Sequence, residues 1–238
     1  MINKYSCINI YETRKKNSKL SSQILYGEKF SIIKKYKDFY KIKTDYDKYV
    51  GFIKKRKFEQ FAFKPTHKVS SLKANVFSKP IKSSKIKMKL SFTSLLQVKS
   101  SNKEFLNFDN YWIQKSDVVP IKYKEKIFKR IKIFRNVKYK WGGKKFDGID
   151  CSGLVQLFYK FNNLYCPRDS GQQFRYFKKL NSINQNLSQT KKIRKFILSN
   201  ESFSTDNNQL TPTLKIRRHV IAARYIDEIN NLYKKSFF

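Results

Sequence analysis

Acidic residues are few in this chain, 17 against 53 lysines and arginines, and the formal net charge is +36. An excess of that size points first to polyanions such as nucleic acid, anionic lipid or acidic glycans. The lysines, however, are spread through every segment instead of forming one stripe. Glycine (7) and proline (5) are scarce while Lys, Asn, Ile, Phe and Tyr abound. AT-rich coding imposes that whole pattern, so nucleic acid is not the expected partner despite the charge.

Long apolar runs are missing too. No window approaches the ~18 residues of a membrane span, and Met1–Cys7 lacks the apolar core of about 7–15 residues that a signal peptide needs. A cytoplasmic location is expected. With three cysteines, Cys7, Cys151 and Cys166, no full disulfide pairing within one chain is possible, and no pair has metal-ligand spacing. Free thiols, no metal and no organic cofactor are expected. The oligomeric state is left open.

What is present is enough apolar content, 40% of 238 residues, to build real cores in one large or two to three small domains. From Ile8 to about position 61, short alternating runs (Phe30–Ile33, Phe39–Ile42, Tyr49–Ile53) separated by turns such as Tyr26-Gly27-Glu28 predict a small all-β barrel. A second stretch of similar texture carries Lys68-Val69, Asn75–Phe77, Leu95–Val98, Phe105–Phe108 and Tyr111–Ile113. Each stretch ends in an aromatic-apolar strand, which suggests two divergent copies of one module. After Pro120 the texture changes: Ile127, Phe128, Ile131 and Phe134 have helical spacing, predicting a helix across 123–137. Expected domains are therefore 1–62, 63–120 and 121–238, with 181–238 atypical.

The most informative stretch is Asp150-Cys151-Ser152-Gly153. It follows Tyr139-Lys140-Trp141-Gly142-Gly143 and precedes Leu154, Val155, Leu157, Phe158 and Phe161, an apolar face at helical spacing. Cys151 thus stands on a turn at the first position of a helix. The partial positive charge and unpaired N–H groups there favour a thiolate and are expected to lower the thiol pKa. The plainer alternative is a buried cysteine acting as a small hydrophobe. Downstream, Asp169-Ser170 is placed to cap a short helix through Gln173.

These residues resemble the NlpC family of papain-like cysteine peptidases, which cleave bacterial cell-wall peptides. The family pattern of Tyr-x-Trp-Gly-Gly, Gly-x-Asp-Cys-Ser-Gly and Pro-Arg-x-Ser-x-Gln is matched by Tyr139–Gly143, Gly148–Gly153 and Pro167–Ser170 with Gln172. Leu25–Glu28, Tyr49–Phe52, Thr66–Val69 and Tyr111–Ile113 resemble the two bacterial SH3-like modules that precede the peptidase in members cutting free murein peptides. The resemblance implies an α+β fold: a papain-like domain behind two small SH3-like barrels. It implies that Cys151 is the nucleophile, that a histidine protonates the leaving amine, and that helix-start N–H groups hold the oxyanion. It gives Asp150 and Ser152 the free α-amino group of a substrate's L-Ala, and makes Tyr49 the candidate that closes this subsite; on position alone Tyr49 serves equally as a barrel core aromatic. Trp141 would wall the substrate groove, or pack its loop. Ser170 would line the groove, or cap its helix. The implied activity is hydrolysis of the γ-D-glutamyl bond to diaminopimelate or lysine in murein peptides with free N-terminal L-Ala; the alternative is a murein-peptide or wall-polymer binding protein that keeps the fold without turnover.

The chain departs from the family at the histidine. The Gly-His-Val strand expected some way after the cysteine, near Leu198–Ser202, is absent. His67 falls within the second barrel, and His219 precedes Val220 but lies far beyond the usual interval, where Ile221, Ala222, Tyr225, Ile226 and Ile229 predict a helix. His219 is the candidate base against a plain exposed helix residue, and Asn231 is a nominal third polar residue. Asp206–Leu210 has the look of a hairpin turn. Divergence, decay, and a reading-frame slip near Lys191-Lys192 each account for the pattern. A slip requires another forward frame of the same DNA to encode Gly-His-Val near codon 200; translating all forward frames checks it, and its absence there removes the slip.

Overall fold

The structure is a computed structural model and describes residues 1–58, 60, 62–185, 203–213 and 215–226, with side chains left aside for 180–185. It divides into two compact units, Met1–Arg168 and Asp169–Phe238.

In the first unit, strands β1 (Cys7–Tyr11), β2 (Leu20–Leu25), β3 (Phe30–Lys35), β4 (Phe39–Thr44) and β5 (Val50–Lys54) form one antiparallel sheet in the order β2-β1-β5-β4-β3. Period-two alternation sends Ile8, Ile10, Ile24, Phe30, Ile42 and Ile53 to one side, where they make the first barrel's core. Tyr49 is half-buried against that core, and its backbone N–H donates to Thr44 Oγ1 at 2.8 Å.

The second barrel comprises β6 (His67–Val69), β7 (Lys73–Phe77), β8 (Ile86–Ser91), β9 (Leu95–Leu96), β10 (Ser100–Ser101), β11 (Phe105–Phe108), β12 (Tyr111–Gln114) and β13 (Val118–Pro120). Its sheets run β10-β11-β12-β7-β8 and β13-β6-β9, a pairing unlike that of the first barrel. Strand β8 is an addition to the sequence reading: Met88 and Leu90 face the core between outward lysines. Tyr26 of the first barrel joins this second core, and its hydroxyl meets Asp109, which also takes Lys4 Nζ at 2.9 Å.

The segment across 123–137 is not the helix its spacing predicted. It is a string of turns ending in a single 3-10 turn, Ile131–Phe134. Phe128 has φ +67°, a left-handed conformation that no α-helix accommodates. The apolar spacing served burial instead. Ile127, Phe128 and Phe134 pack on helix α1 (Cys151–Phe161), which follows the hairpin β14 (Lys144–Lys145) and β15 (Gly148–Ile149).

Helix α1 is held by both barrels. Its Leu157, Phe158 and Phe161 are fully buried with Leu25 of the first barrel and Phe92 of the second, the Phe92 and Phe161 rings stacking at 4.7 Å. Leu154 and Val155 are only half-buried. Lys68 of β6, 1% exposed, reaches the end of α1: its ammonium donates to Phe161 O and to the carbonyls of Tyr123 (2.7 Å) and Ile121 (3.0 Å). A cation there satisfies carbonyls the helix leaves unpaired and suits the negative end of its dipole. Buried Lys160 on α1 pairs with buried Glu28 of the first barrel, whose other oxygen accepts Leu25 N at 2.6 Å, with Lys144 Nζ 3.7 Å away. These contacts, set against burial, hold the Glu28 carboxyl below the usual range.

The second unit contains α2 (Ser170–Gln185), longer than the short helix predicted, and α3 (Arg218–Arg224). Between them Asp206–Asn208 form a turn, and Leu210 bridges Ile216. Residues Lys191–Lys195, Leu198–Ser202 and Asn231 lie outside the described residues.

Replacing Lys68 by Met keeps the stem and removes the donors from the buried carbonyls at the end of α1. Urea unfolding should show a loss of about 3 kcal/mol, since an unsatisfied buried acceptor costs more than a hydrogen bond returns.

Candidate active site

The turn that carries Cys151 is built around one carboxylate. Asp150, in extended backbone at the N-cap of α1, accepts Gly153 N–H at 2.6 Å through Oδ1 and Gly142 N–H at 2.8 Å through Oδ2. One interaction caps the helix; the other ties down the Trp-Gly-Gly loop ahead of it. Arg168, 1% exposed, closes the pair from the far side, Nη1 to Oδ1 at 3.0 Å and Nη2 to Oδ2 at 2.7 Å. Four donors at 3.0 Å or less thus meet the carboxylate's lone pairs, and the Ser152 hydroxyl donates to Oδ1 at 3.4 Å as a fifth. Arg168 also donates to Ser152 Oγ at 2.9 Å and, through Nε, to Ser22 Oγ of the first barrel at 3.0 Å.

Glycines make the close packing possible. Gly142 has φ +70°, and a Cβ there would lie 2.7 Å from the Leu20 carbonyl oxygen. Gly153 lies against the Gly143 carbonyl, where a Cβ would meet oxygen at 2.7 Å. Both follow from the Gly-Gly and Cys-Ser-Gly pieces of the sequence.

Cys151 is the first residue of α1 and half-buried. Its thiol is not lowered as its helix-start address predicted. Burial, then the adjacent Asp150 carboxylate, push it up; the Ser152 N–H and the Arg168 guanidinium oppose them. Burial outweighs the end-of-helix field, and the carboxylate that caps the same helix end adds to it. Cys7 and Cys166 are pushed up to about 12, mainly by burial.

Trp141 is 62% exposed on the loop before the nucleophile. Tyr139 stands beside the site: burial and the neighbouring Cys151 and Asp150 push its hydroxyl up to about 12. Ser152 is buried against Arg168, and Ser170 is exposed at the start of α2 in the second unit. His219, in the second unit, is exposed at the second position of α3, so the helix expected there is present. His67 lies on β6 with Nδ1 3.0 Å from Thr66 Oγ1 and borders a cavity of about 530 Å³ with Val98 and Pro120. The sequence reading quoted Arg168 and Tyr139 within motifs but gave neither a role; an arginine directly after a proline, downstream of an Asp-Cys pair, was the available signal. Among the described residues no group of three or more His, Cys, Asp or Glu is placed to hold a metal, and no helix is long and apolar enough to cross a membrane.

Arg168→Gln should cost about 3–5 kcal/mol of stability in urea unfolding, because it strands a buried carboxylate. It should also slow iodoacetamide labelling of Cys151 at fixed pH, since the guanidinium that favours thiolate is gone while Asp150 remains.

Residues 136–197 match the NlpC/P60 family, and residues 10–58 match the bacterial dipeptidyl-peptidase SH3 domain. The gamma-D-glutamyl-L-lysine dipeptidyl-peptidase of Bacillus subtilis (strain 168) is 26% identical over 174 residues, 65% of this chain and 57% of that protein. The protein of the same description from Bacillus cereus (strain ATCC 10987) is 31% identical over 77 residues, 29% of this chain and 23% of that protein. The chain thus spans little more than half the length of the first relative and less of the second. The crystal structure of an NlpC/P60 family protein from Bacillus cereus ATCC 10987 superposes with a TM-score of 0.61 at 18% identity, covering 73% of this chain and 76% of that one, which shows the papain-like fold with its SH3-like all-β region. Two segments of the chain are thus similar to known domains, 136–197 to the NlpC/P60 family and 10–58 to the bacterial dipeptidyl-peptidase SH3 domain, and the fold is that of an NlpC/P60 protein.

Proposed function

We propose that this chain is a cysteine endopeptidase of murein peptides, cutting the γ-D-glutamyl bond to diaminopimelate or lysine when L-Ala at the N-terminus is free. The observation that carries this reading is Cys151 at the first position of α1, with its turn fixed by Asp150 and Arg168. The names of the Bacillus relatives support the bond and the substrate class.

In this reading the Cys151 sulfur attacks the γ-glutamyl carbonyl carbon, and N–H groups at the start of α1 receive the developing oxyanion. The amide C–N bond breaks, the amine leaves with a proton, and water later releases the acyl group from sulfur. His219 is the proposed proton carrier. Trp141, Tyr49, Ser152 and Ser170 are the proposed walls of the peptide groove. Asp150 is proposed for the substrate ammonium, which would join oxygens that already take five donors. Cytoplasmic cell-wall turnover or recycling is the proposed setting.

A second reading, peptide binding without turnover, is favoured by one observation. The matched family segment ends at 197, ahead of His219, and among the described residues of the first unit the histidine is His67 in the second barrel.

The two readings separate on incubation with L-Ala-γ-D-Glu-diaminopimelate and mass detection of L-Ala-D-Glu. Release by the native chain, abolished in Cys151→Ala and by acetylating the L-Ala amine, is expected. Because the thiol is raised, the rate should climb with pH through the alkaline side of the ordinary cysteine range near ~8.5. Saturable binding with no product selects the second reading.

A further inference from the structure

A cluster of cations apart from the nucleophile turn remains without a role. Along the outer face of β1, Cys7, Asn9 and Tyr11 border a cavity of about 220 Å³ whose other walls include Lys54, Arg56, Lys140 and Lys145. These basic groups come from two parts of the first unit: Lys54 and Arg56 from the end of the first barrel, Lys140 and Lys145 from the loop and hairpin that lead into Cys151.

The cations are poorly compensated. Lys145 pairs with Asp147 at 2.8 Å. Among the described residues no carboxylate pairs with Lys54, Arg56 or Lys140. Arg56 stacks its guanidinium on the Tyr5 ring at 4.9 Å and also borders an adjoining cleft of about 590 Å³ with Lys4, Tyr40 and Phe58. Neutral donors complete the lining. Gln23 donates to Asn9 Oδ1 at 2.8 Å and accepts Lys144 N–H at 2.7 Å, which fixes the polar floor to the hairpin. Like charges held around one concavity repel each other until an anion enters, and a fixed guanidinium beside ammonium groups suits a multidentate oxyanion.

We propose that this cavity is a binding site for a multiply charged oxyanion, the phosphate or carboxylate group of a ligand, held by Lys54, Arg56, Lys140 and Lys145. The proposal goes beyond the peptidase reading and stands whether or not Cys151 turns over. Its position gives it a mechanical connection: an anion there would tie the end of the first barrel to the β14–β15 hairpin that feeds the nucleophile turn.

The test uses the whole chain and isothermal titration with two probes, inorganic pyrophosphate and citrate. Three proteins are compared: native, Arg56→Gln/Lys140→Gln, and Lys87→Gln/Lys89→Gln. The last removes the same charge from exposed positions on β8, so it measures the general attraction of a +36 chain. Saturable 1:1 binding is expected, weakened about tenfold or more in the cavity variant and less than about twofold in the β8 variant. Preference for pyrophosphate assigns a phosphate-bearing ligand, and preference for citrate a carboxylate-bearing one. Equal losses in both double variants, or no saturable binding of either probe, would overturn the site. Unfolding curves that match native for the cavity variant confirm that lost binding is not lost structure; should that variant unfold, Lys54→Gln alone, on an exposed strand end, replaces it with the same criteria at a smaller loss.

Discussion

The paired charges of Asp150 and Arg168 are what the Cys151 turn depends on. The carboxylate is at once the cap of α1, the anchor of the Trp-Gly-Gly loop and the partner of a buried guanidinium. None of these tasks could pass to an uncharged residue without leaving something unpaired. An Asn at 150 would lose the bidentate match, and a Lys at 168 would lose the fork. The same guanidinium reaches Ser22, so the geometry of the nucleophile is referred to a strand of the first barrel. The cost falls on the thiol, which is raised first by its burial and then by the carboxylate that secures its position. Position has been favoured over activation at this turn.

The barrels are therefore more than appended modules. Leu25 and Phe92 join Phe128 and Phe134 in covering the apolar face of α1, while Lys68 and Glu28 close its polar demands. Each aromatic ring buried there removes a large apolar area from water and fixes the helix axis by edge and stacking contacts.

The motifs around Cys151 were legible because glycine is scarce here and Gly142, Gly143, Gly148 and Gly153 crowd into one short stretch. The onset of α1 at Cys151 was legible from local chemistry, whereas the cap at Asp150 was not, because the resemblance assigns that carboxylate to the substrate's α-amino group. Strands were legible where alternation was clean, as at β3 to β5. They were lost at β8, where lysines interleaved with Ile86, Met88 and Leu90 diluted the signal. The segment across 123–137 misled because apolar spacing reports burial, and burial on a curved aromatic surface does not require a helix; Phe128 at positive φ is the point where the backbone left that path. The partners of Lys68, Lys160 and Arg168 were beyond reach for a different reason. They are separated by 93, 132 and 146 positions from Phe161, Glu28 and Ser22, and no local pattern encodes such pairings. The direction of the Cys151 shift needed the same long-range knowledge of burial.

Those separations also set an order of events. A chain leaving the ribosome presents the first barrel, then the second, and α1 only after both. The groups that receive Lys160, the end of α1 and Arg168 are Glu28 in the β2–β3 turn, Lys68 on β6 and Ser22 on β2, all synthesised before the helix, so barrels that fold first offer it a surface on which to dock. Starting instead from the fully unfolded chain, all three long-range pairings compete with non-native burial of the same lysines and phenylalanines, and topology makes that route slow. The arrangement that makes the nucleophile helix dependent on its barrels thus also favours assembly in the direction of synthesis.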